Sequence, residues 1–115
     1  MKTHIDFKGK KIHFKDEGEG PVLVLLHGFL ESLHIWDDFA AELTGSFRVV
    51  RIDLPGHGQT EVIDGKSGMT LMAKAVKAVL DELAIAECVM IGHSMGGYVT
   101  LEFALQFGGM LRGLG

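Results

Sequence analysis

The sequence predicts an α/β fold: a mostly parallel sheet, opened by an antiparallel β-hairpin, with helices on both faces. Three observations carry this expectation. Residues 22–26 and 88–91 are apolar on both faces, and 47–52 reads as a third strand of the same kind, the pattern of strands covered on both sides. Segments whose apolar residues recur at helical spacing follow these runs. Residues 3–7 and 11–15 instead alternate with a period of two. The resulting order, β-β-β-α-β-α-β-α, is that of a hairpin leading into βα units.

Taken in order, Ile5 and Phe7 alternate in the first segment and Ile12 and Phe14 in the second, with Gly9-Lys10 between them as the turn. Residues 16–21, glycine-rich and closed by Pro21, connect to the buried strand Val22-Leu23-Val24-Leu25-Leu26. From 33 to 43 the period changes. Trp36, Phe39, Ala40 and Leu43 make one helical stripe, and Gly45 is placed to end it. The strand 47–52 leads into a glycine-rich loop, 53–69, that also holds Pro55. Thr70 is placed to cap a helix whose stripe is Met72, Val76, Val79, Leu80 and Leu83. After the strand 88–91, a third helix runs from 95 to 107 and stops at Gly108-Gly109. Residues 110–115 read as the approach to a further strand.

The 115 residues fit one domain, 1–115. A net charge of -4 offers no basic footprint, so neither nucleic acid nor an anionic membrane surface is an expected partner. The longest strongly apolar run, 22–26, falls far short of the roughly 18 residues of a membrane span. Residues 1–11 are polar and lack the apolar stretch of a secretory signal, so a cytoplasmic protein is expected. Cys88 is the single cysteine, which excludes an intrachain disulfide, and its neighbours Val89, Met90 and Ile91 mark it as a buried strand thiol. The six histidines show no metal-binding spacing, and no phosphate-cradling glycine loop is present, so neither metal nor cofactor is expected.

Three motifs carry chemistry. Gly92-His93-Ser94-Met95-Gly96 fits G-x-S-x-G, between a buried strand and an apolar helix. Such a serine sits at the apex of a sharp turn, and small residues two before and two after it leave room for that turn. The helix start also brings backbone N–H groups and partial positive charge to the site. His27-Gly28-Phe29 directly follows the strand 22–26. Gly28 lets the chain turn and present the Phe29 N–H toward the serine, with the Met95 N–H as a second donor. Removing one such donor for a developing oxyanion costs roughly 2.7–4 kcal/mol in characterised enzymes. His27 reads as a structural hydrogen-bonding residue rather than a base. Asp53-Leu54-Pro55-Gly56-His57-Gly58-Gln59-Thr60 follows the strand 47–52. Asp53 is a candidate catalytic carboxylate, but it and His57 are better assigned to holding this loop.

These motifs, in this order, resemble the α/β-hydrolase fold superfamily, from about residue 3 to the end of the chain. Leu26-His27-Gly28-Phe29, with Trp36 after it, looks like the family's oxyanion-loop motif. Asp53 to Thr60 looks like its D-x-P-G-x-G-x-S/T loop, and Gly92 to Gly97 like its nucleophile elbow. The resemblance implies the N-terminal half of such a fold, Ser94 as nucleophile, and Phe29 and Met95 as oxyanion-hole N–H donors. It implies a serine hydrolase acting on a carboxylic ester or related acyl substrate, a small molecule. Alternatives are a C–C bond hydrolase or lyase of the same fold, or a non-catalytic or truncated member. Serine argues against the branches with an aspartate nucleophile. Family order places an acid and then a histidine after the serine, yet the 21 residues after Ser94 hold no Asp and no His. Glu102 is the one acid there, two turns into the helix. Gly108-Gly109 also stands where relatives often have a Pro-acidic pair. His27, His57 and His93 sit near converging strand ends, but each is assigned to its own loop, so residues 1–115 alone are expected to lack appreciable esterase activity. An uncovered edge of the strand 88–91 is expected to promote self-association.

Overall fold

The computed structural model describes residues 3–58, 60 and 68–115. Part of the expected loop, residues 59 and 61–67, lies outside the described residues. Six strands form one sheet in the order β1-β2-β4-β3-β5-β6. They are β1 (His4–Phe7), β2 (Lys10–Glu17), β3 (Val22–Leu26), β4 (Arg48–Ile52), β5 (Cys88–Gly92) and β6 (Leu111–Leu114). The helices are α1 (Asp37–Leu43), α2 (Met69–Glu82) and α3 (Met95–Phe107).

The hairpin is as expected, with its turn one residue earlier, at Lys8-Gly9. Both residues have positive φ, 52° and 79°, as a tight turn matched to the strand twist requires. β2 runs antiparallel to β4, while β4, β3, β5 and β6 are mutually parallel. β3 is therefore paired at both edges, and the packed layers on its two faces explain its unbroken apolar run. Val24 and Leu26 face one core with Phe14, Val50, Ile52, Met90 and the helices α2 and α3. Leu23 and Leu25 face the other, with Val49, Ala40 and the partly buried Trp36 and Leu43. Helices thus cover both faces.

Four local expectations are corrected. Residues 33–36 are a 3-10 helix ahead of α1, capped by Ser32. Its tighter winding breaks the single stripe: Leu33 and Ala40 are buried, whereas Phe39 is 44% exposed and rests on the Trp36 ring. Gly45 does not end α1 in a left-handed cap; Thr44 closes it in right-handed geometry, its N–H donating to Ala40 O. Gly68, not Thr70, is the N-cap of α2. The edge of β5 is not bare, because β6 pairs with it through Cys88↔Leu111, Val89↔Gly113 and Met90↔Leu114. β6 is the outermost strand on that side among the described residues.

β4 begins at Arg48, leaving Phe47 outside it, and it buries a cation that its apolar pattern concealed. Arg51 is 4% exposed. Its guanidinium donates to Glu17 Oε1 at 2.8 Å and to Asp37 Oδ1, and lies 3.4 Å from Leu33 O. That pairing joins β2, β4 and the start of α1, and the guanidinium holds the Asp37 carboxyl below its ordinary range. No helix among the described residues is long and apolar enough to cross a membrane.

Candidate active site

Ser94 stands between the last residues of β5 and the first of α3, with φ 55° and ψ −115°. That backbone is disfavoured for a residue with a Cβ and costs of order 1–3 kcal/mol. The two flanking glycines explain how the chain holds it. A Cβ on Gly92 would lie 2.5 Å from Gly97 N and closer still to the Gly96 carbonyl. A Cβ on Gly96 would lie 2.6 Å from His27 O and also strike the Leu26 carbonyl. The elbow and the end of β3 therefore touch backbone to backbone. His93 N–H donates to Leu26 O at 2.9 Å, and Gly96 and Gly97 N–H groups turn back to His93 O and Ser94 O, both at 2.9 Å. The Met95 N–H, in the first turn of α3, belongs to the set that has no acceptor four residues earlier within the helix.

The loop after β3 is a tight turn, Gly28–Glu31, closed by Glu31 N–H donating to Gly28 O at 3.2 Å, with Leu30 at φ 61°. His27 is fully buried beneath it. Its Nε2 accepts the Leu54 N–H at 2.9 Å, which leaves Nδ1 as the protonated nitrogen, donating to Gly28 O at 2.7 Å. Burial holds its pKa below 6.5, so His27 is a neutral strut whose two ring nitrogens are both engaged. Because a peptide plane is rigid and trans, fixing Gly28 O also fixes the opposed Phe29 N–H. Gly28 itself is close to the serine, since a Cβ there would meet Ser94 Cβ at 3.1 Å.

The third loop is held as expected. Asp53 is buried, and its carboxylate accepts Leu33 N–H at 2.7 Å and pairs with His13 Nδ1 at 2.7 Å. The Thr60 hydroxyl donates to Asp53 O at 2.6 Å and accepts His13 N–H at 2.8 Å. Gly58, at φ 53°, abuts the Asp53 carboxylate, where a Cβ would collide. His57 Nδ1 lies 3.1 Å from Pro55 O, and its ring packs against His27 and Phe29 at centroid distances of 5.1 and 5.8 Å. The Asp53 carboxylate is thus engaged by β2 and the start of the 3-10 helix, and its carbonyl by Thr60 of its own loop.

Two residues at or beside the site were not singled out from sequence. Glu31 accepts Gly28 N–H at 2.7 Å and pairs with His93 Nδ1 at 3.0 Å. These contacts, the backbone N–H first, hold its carboxyl below the ordinary range. His13 reaches Asp53 from β2, forty residues away in sequence. The imidazole of His93 is exposed and directed to Glu31. Cys88 is buried, and burial pushes its thiol up to about 11, which leaves it inert. A cavity of about 400 Å³ adjoins the serine, lined by Ser94, Gly97, Tyr98, Leu101, Leu114 and Gly115 among others. No cluster of potential metal ligands occurs among the described residues.

Parallel βα units with a strained serine at the strand-to-helix turn, close to the turn that follows the neighbouring strand, make up the α/β core of this chain. The chain belongs to the alpha/beta hydrolase fold family, whose sequence model matches residues 21–112. It is 35% identical over 106 residues to 2-hydroxy-6-oxononadienedioate/2-hydroxy-6-oxononatrienedioate hydrolase of Escherichia coli, covering 87% of this chain and 37% of that protein. Human epoxide hydrolase 4 is 33% identical over 116 residues, covering 97% of this chain and 32% of its own length. A thermophilic esterase from Thermogutta terrifontis superposes with a TM-score of 0.89 at 35% identity, over 97% of this chain and 42% of that one. The chain spans about a third of the length of the curated relatives it matches.

Proposed function

We propose that this chain carries the nucleophile and the oxyanion hole of a serine hydrolase that cleaves a carboxylic ester or a related small acyl substrate. The observation that carries the reading is the backbone of Ser94, held at φ 55° over a glycine turn. In this reading the Ser94 hydroxyl attacks the acyl carbon, and the Phe29 and Met95 N–H groups receive the negative oxygen of the tetrahedral intermediate. A serine hydroxyl needs a base, and the histidines near Ser94 are otherwise engaged. His27 uses both ring nitrogens, His57 bonds its own loop and His93 pairs with Glu31. The acid and the base are therefore expected from the portion that the relatives have beyond the matched segment, and residues 1–115 alone are expected to be inactive.

A second reading, hydrolysis of a carbon–carbon bond, is favoured by the 35% identity to the Escherichia coli hydrolase. The compound in that protein's name has no ester linkage, so its hydrolysis breaks a carbon–carbon bond. The test is to express the full reading frame of the gene and residues 1–115, label both with a serine-reactive phosphonate, and assay an activated ester and a 2-hydroxy-6-oxo dienedioate. The proposal expects labelling and turnover in the long form, both lost in Ser94→Ala. Labelling that persists in Ser94→Ala, or a long form inert to phosphonate and to both substrates, overturns it. Preference for the dienedioate moves the assignment to the second reading.

A further inference from the structure

Glu31 makes contacts that a solvated loop acid does not need. Its side-chain Oε1 accepts the N–H of Gly28 at 2.7 Å, while its own backbone N–H donates to Gly28 O at 3.2 Å. Gly28, the first residue of the turn, is thus engaged at both of its polar backbone groups by Glu31, its carbonyl being shared with His27 Nδ1. The same Oε1 pairs with His93 Nδ1 at 3.0 Å, across 62 residues of sequence. His93 immediately precedes Ser94, so one carboxylate oxygen ties the turn after β3 to the elbow after β5. The turn needs such a tie. Leu30 has φ 61° and is 82% exposed, so a branched residue sits in left-handed backbone with little packing to hold it there.

We propose that Glu31 is a positioning residue for the oxyanion hole: its carboxylate, set between the Gly28 N–H and the His93 ring, anchors the peptide before Gly28 and so steadies the next peptide, whose Gly28 O is held by His27 and whose N–H is that of Phe29. This rests on the assignment of Phe29 and Met95 as oxyanion donors. The contacts of Glu31 are with the Gly28 backbone and the His93 ring, and it acts through them. The work is done by an acceptor oxygen at one position, so a glutamine in the same rotamer supplies it and an alanine does not. A loosened donor lowers kcat more than it raises KM, because the oxyanion exists in the transition state and not in the bound substrate.

The test compares Glu31→Ala and Glu31→Gln in the protein encoded by the full reading frame. Two readouts are taken: steady-state hydrolysis of p-nitrophenyl acetate, and the exchange rate of the Gly28 amide followed by NMR. Glu31→Ala is expected to lower kcat by about 10- to 100-fold with KM within about threefold. It is also expected to speed exchange at Gly28 by at least about tenfold, having removed the acceptor of that N–H. Glu31→Gln is expected to recover kcat to within about fivefold of the parent and to restore slow exchange. Unchanged Gly28 exchange in Glu31→Ala overturns the proposal, whatever the activity. So does an unchanged kcat in an active parent, or a Glu31→Gln as impaired as Glu31→Ala. A parent that neither hydrolyses the ester nor labels with phosphonate defeats the serine-hydrolase reading instead, and the amide readout still decides whether Glu31 holds the turn.

Discussion

Replacing Gly92 by alanine should damage the fold, whereas the same change at Gly97, five residues on, should stabilise it. The contrast follows from space. An alanine methyl at 92 would stand 2.5 Å from Gly97 N and nearer to the Gly96 carbonyl, all of it backbone of the first turn of α3. Ordinary contact begins near 3.4 Å, so α3 must withdraw from β5 by about 1 Å, and no flexible side chain is available to yield instead. Overpacking of this kind costs about 1–3 kcal/mol, and rigid backbone on both sides argues for the upper half of that range. A methyl at 97 would meet Gly92 O at 3.6 Å, an ordinary contact, and would remove a glycine of negative φ from the first turn of α3, which gains about 0.4–1 kcal/mol. Urea unfolding followed by far-UV circular dichroism gives both values. At about 4–8 °C per kcal/mol for a domain near this size, Gly92→Ala should lower Tm by about 8–24 °C and Gly97→Ala should raise it by a few degrees. If Gly92→Ala unfolds within about 0.5 kcal/mol of the parent, or the two variants suffer equally, the steric account of the elbow is wrong.

Three further outcomes follow from the same structure. Ser94→Gly should raise stability by about 1 kcal/mol while abolishing phosphonate labelling, because it relieves the φ 55° strain and removes the hydroxyl together; a loss of stability in denaturant titration would show that the serine backbone is unstrained. Burial holds His27 below 6.5, so the unfolded chain takes up a proton that the folded chain refuses. Stability should be full above about pH 6.5 and fall as the pH drops through 6 toward 5, before the lowered carboxyls of Glu31 and Asp37 titrate. Urea midpoints across that window should decline less in His27→Gln, and equal slopes would remove His27 from the account. Finally, residues 1–115 should self-associate through the outer edge of β6, where Leu114 is 49% exposed. Sedimentation should show Leu114→Lys shifted toward monomer, and a parent that is monomeric at high concentration would refute this.

Much of the architecture was legible because it rests on local signals. The unbroken apolar run of β3 announces burial on both faces, and the glycines at 92 and 96 announce a turn too tight for side chains. The partners of the site were harder to read. Glu31 looks like a solvated acid between Leu30 and Ser32 until the parallel pairing of β3 with β5 brings His93 beside it. His13 belongs to an alternating hairpin strand, and only the β2–β4 pairing delivers it to Asp53. Arg51 interrupts an apolar strand, and its carboxylates come from β2 and α1, on separate elements. Each of these is a non-local polar contact, and nothing in periodicity or turn chemistry encodes its partner. The misread helix start at 33–36 has a different origin, since i, i+3 spacing suits 3-10 and α windings alike.

Neighbouring parallel strands pair Leu26 with Gly92, so the two loops that follow them leave the sheet side by side, in contact through carbonyls and amide nitrogens. Among side chains, the Glu31 carboxylate bridges that junction. Phe29, Leu30 and Tyr98, all strongly exposed, are displayed around it and carry none of its weight. The chemistry and the selectivity of such a centre are consequently separable. On the proposed reading, a lineage can exchange the displayed residues and explore new substrates while the geometry around Ser94 is inherited unchanged, because that geometry is written in strand register, in the places where no Cβ fits and in one bridging carboxylate.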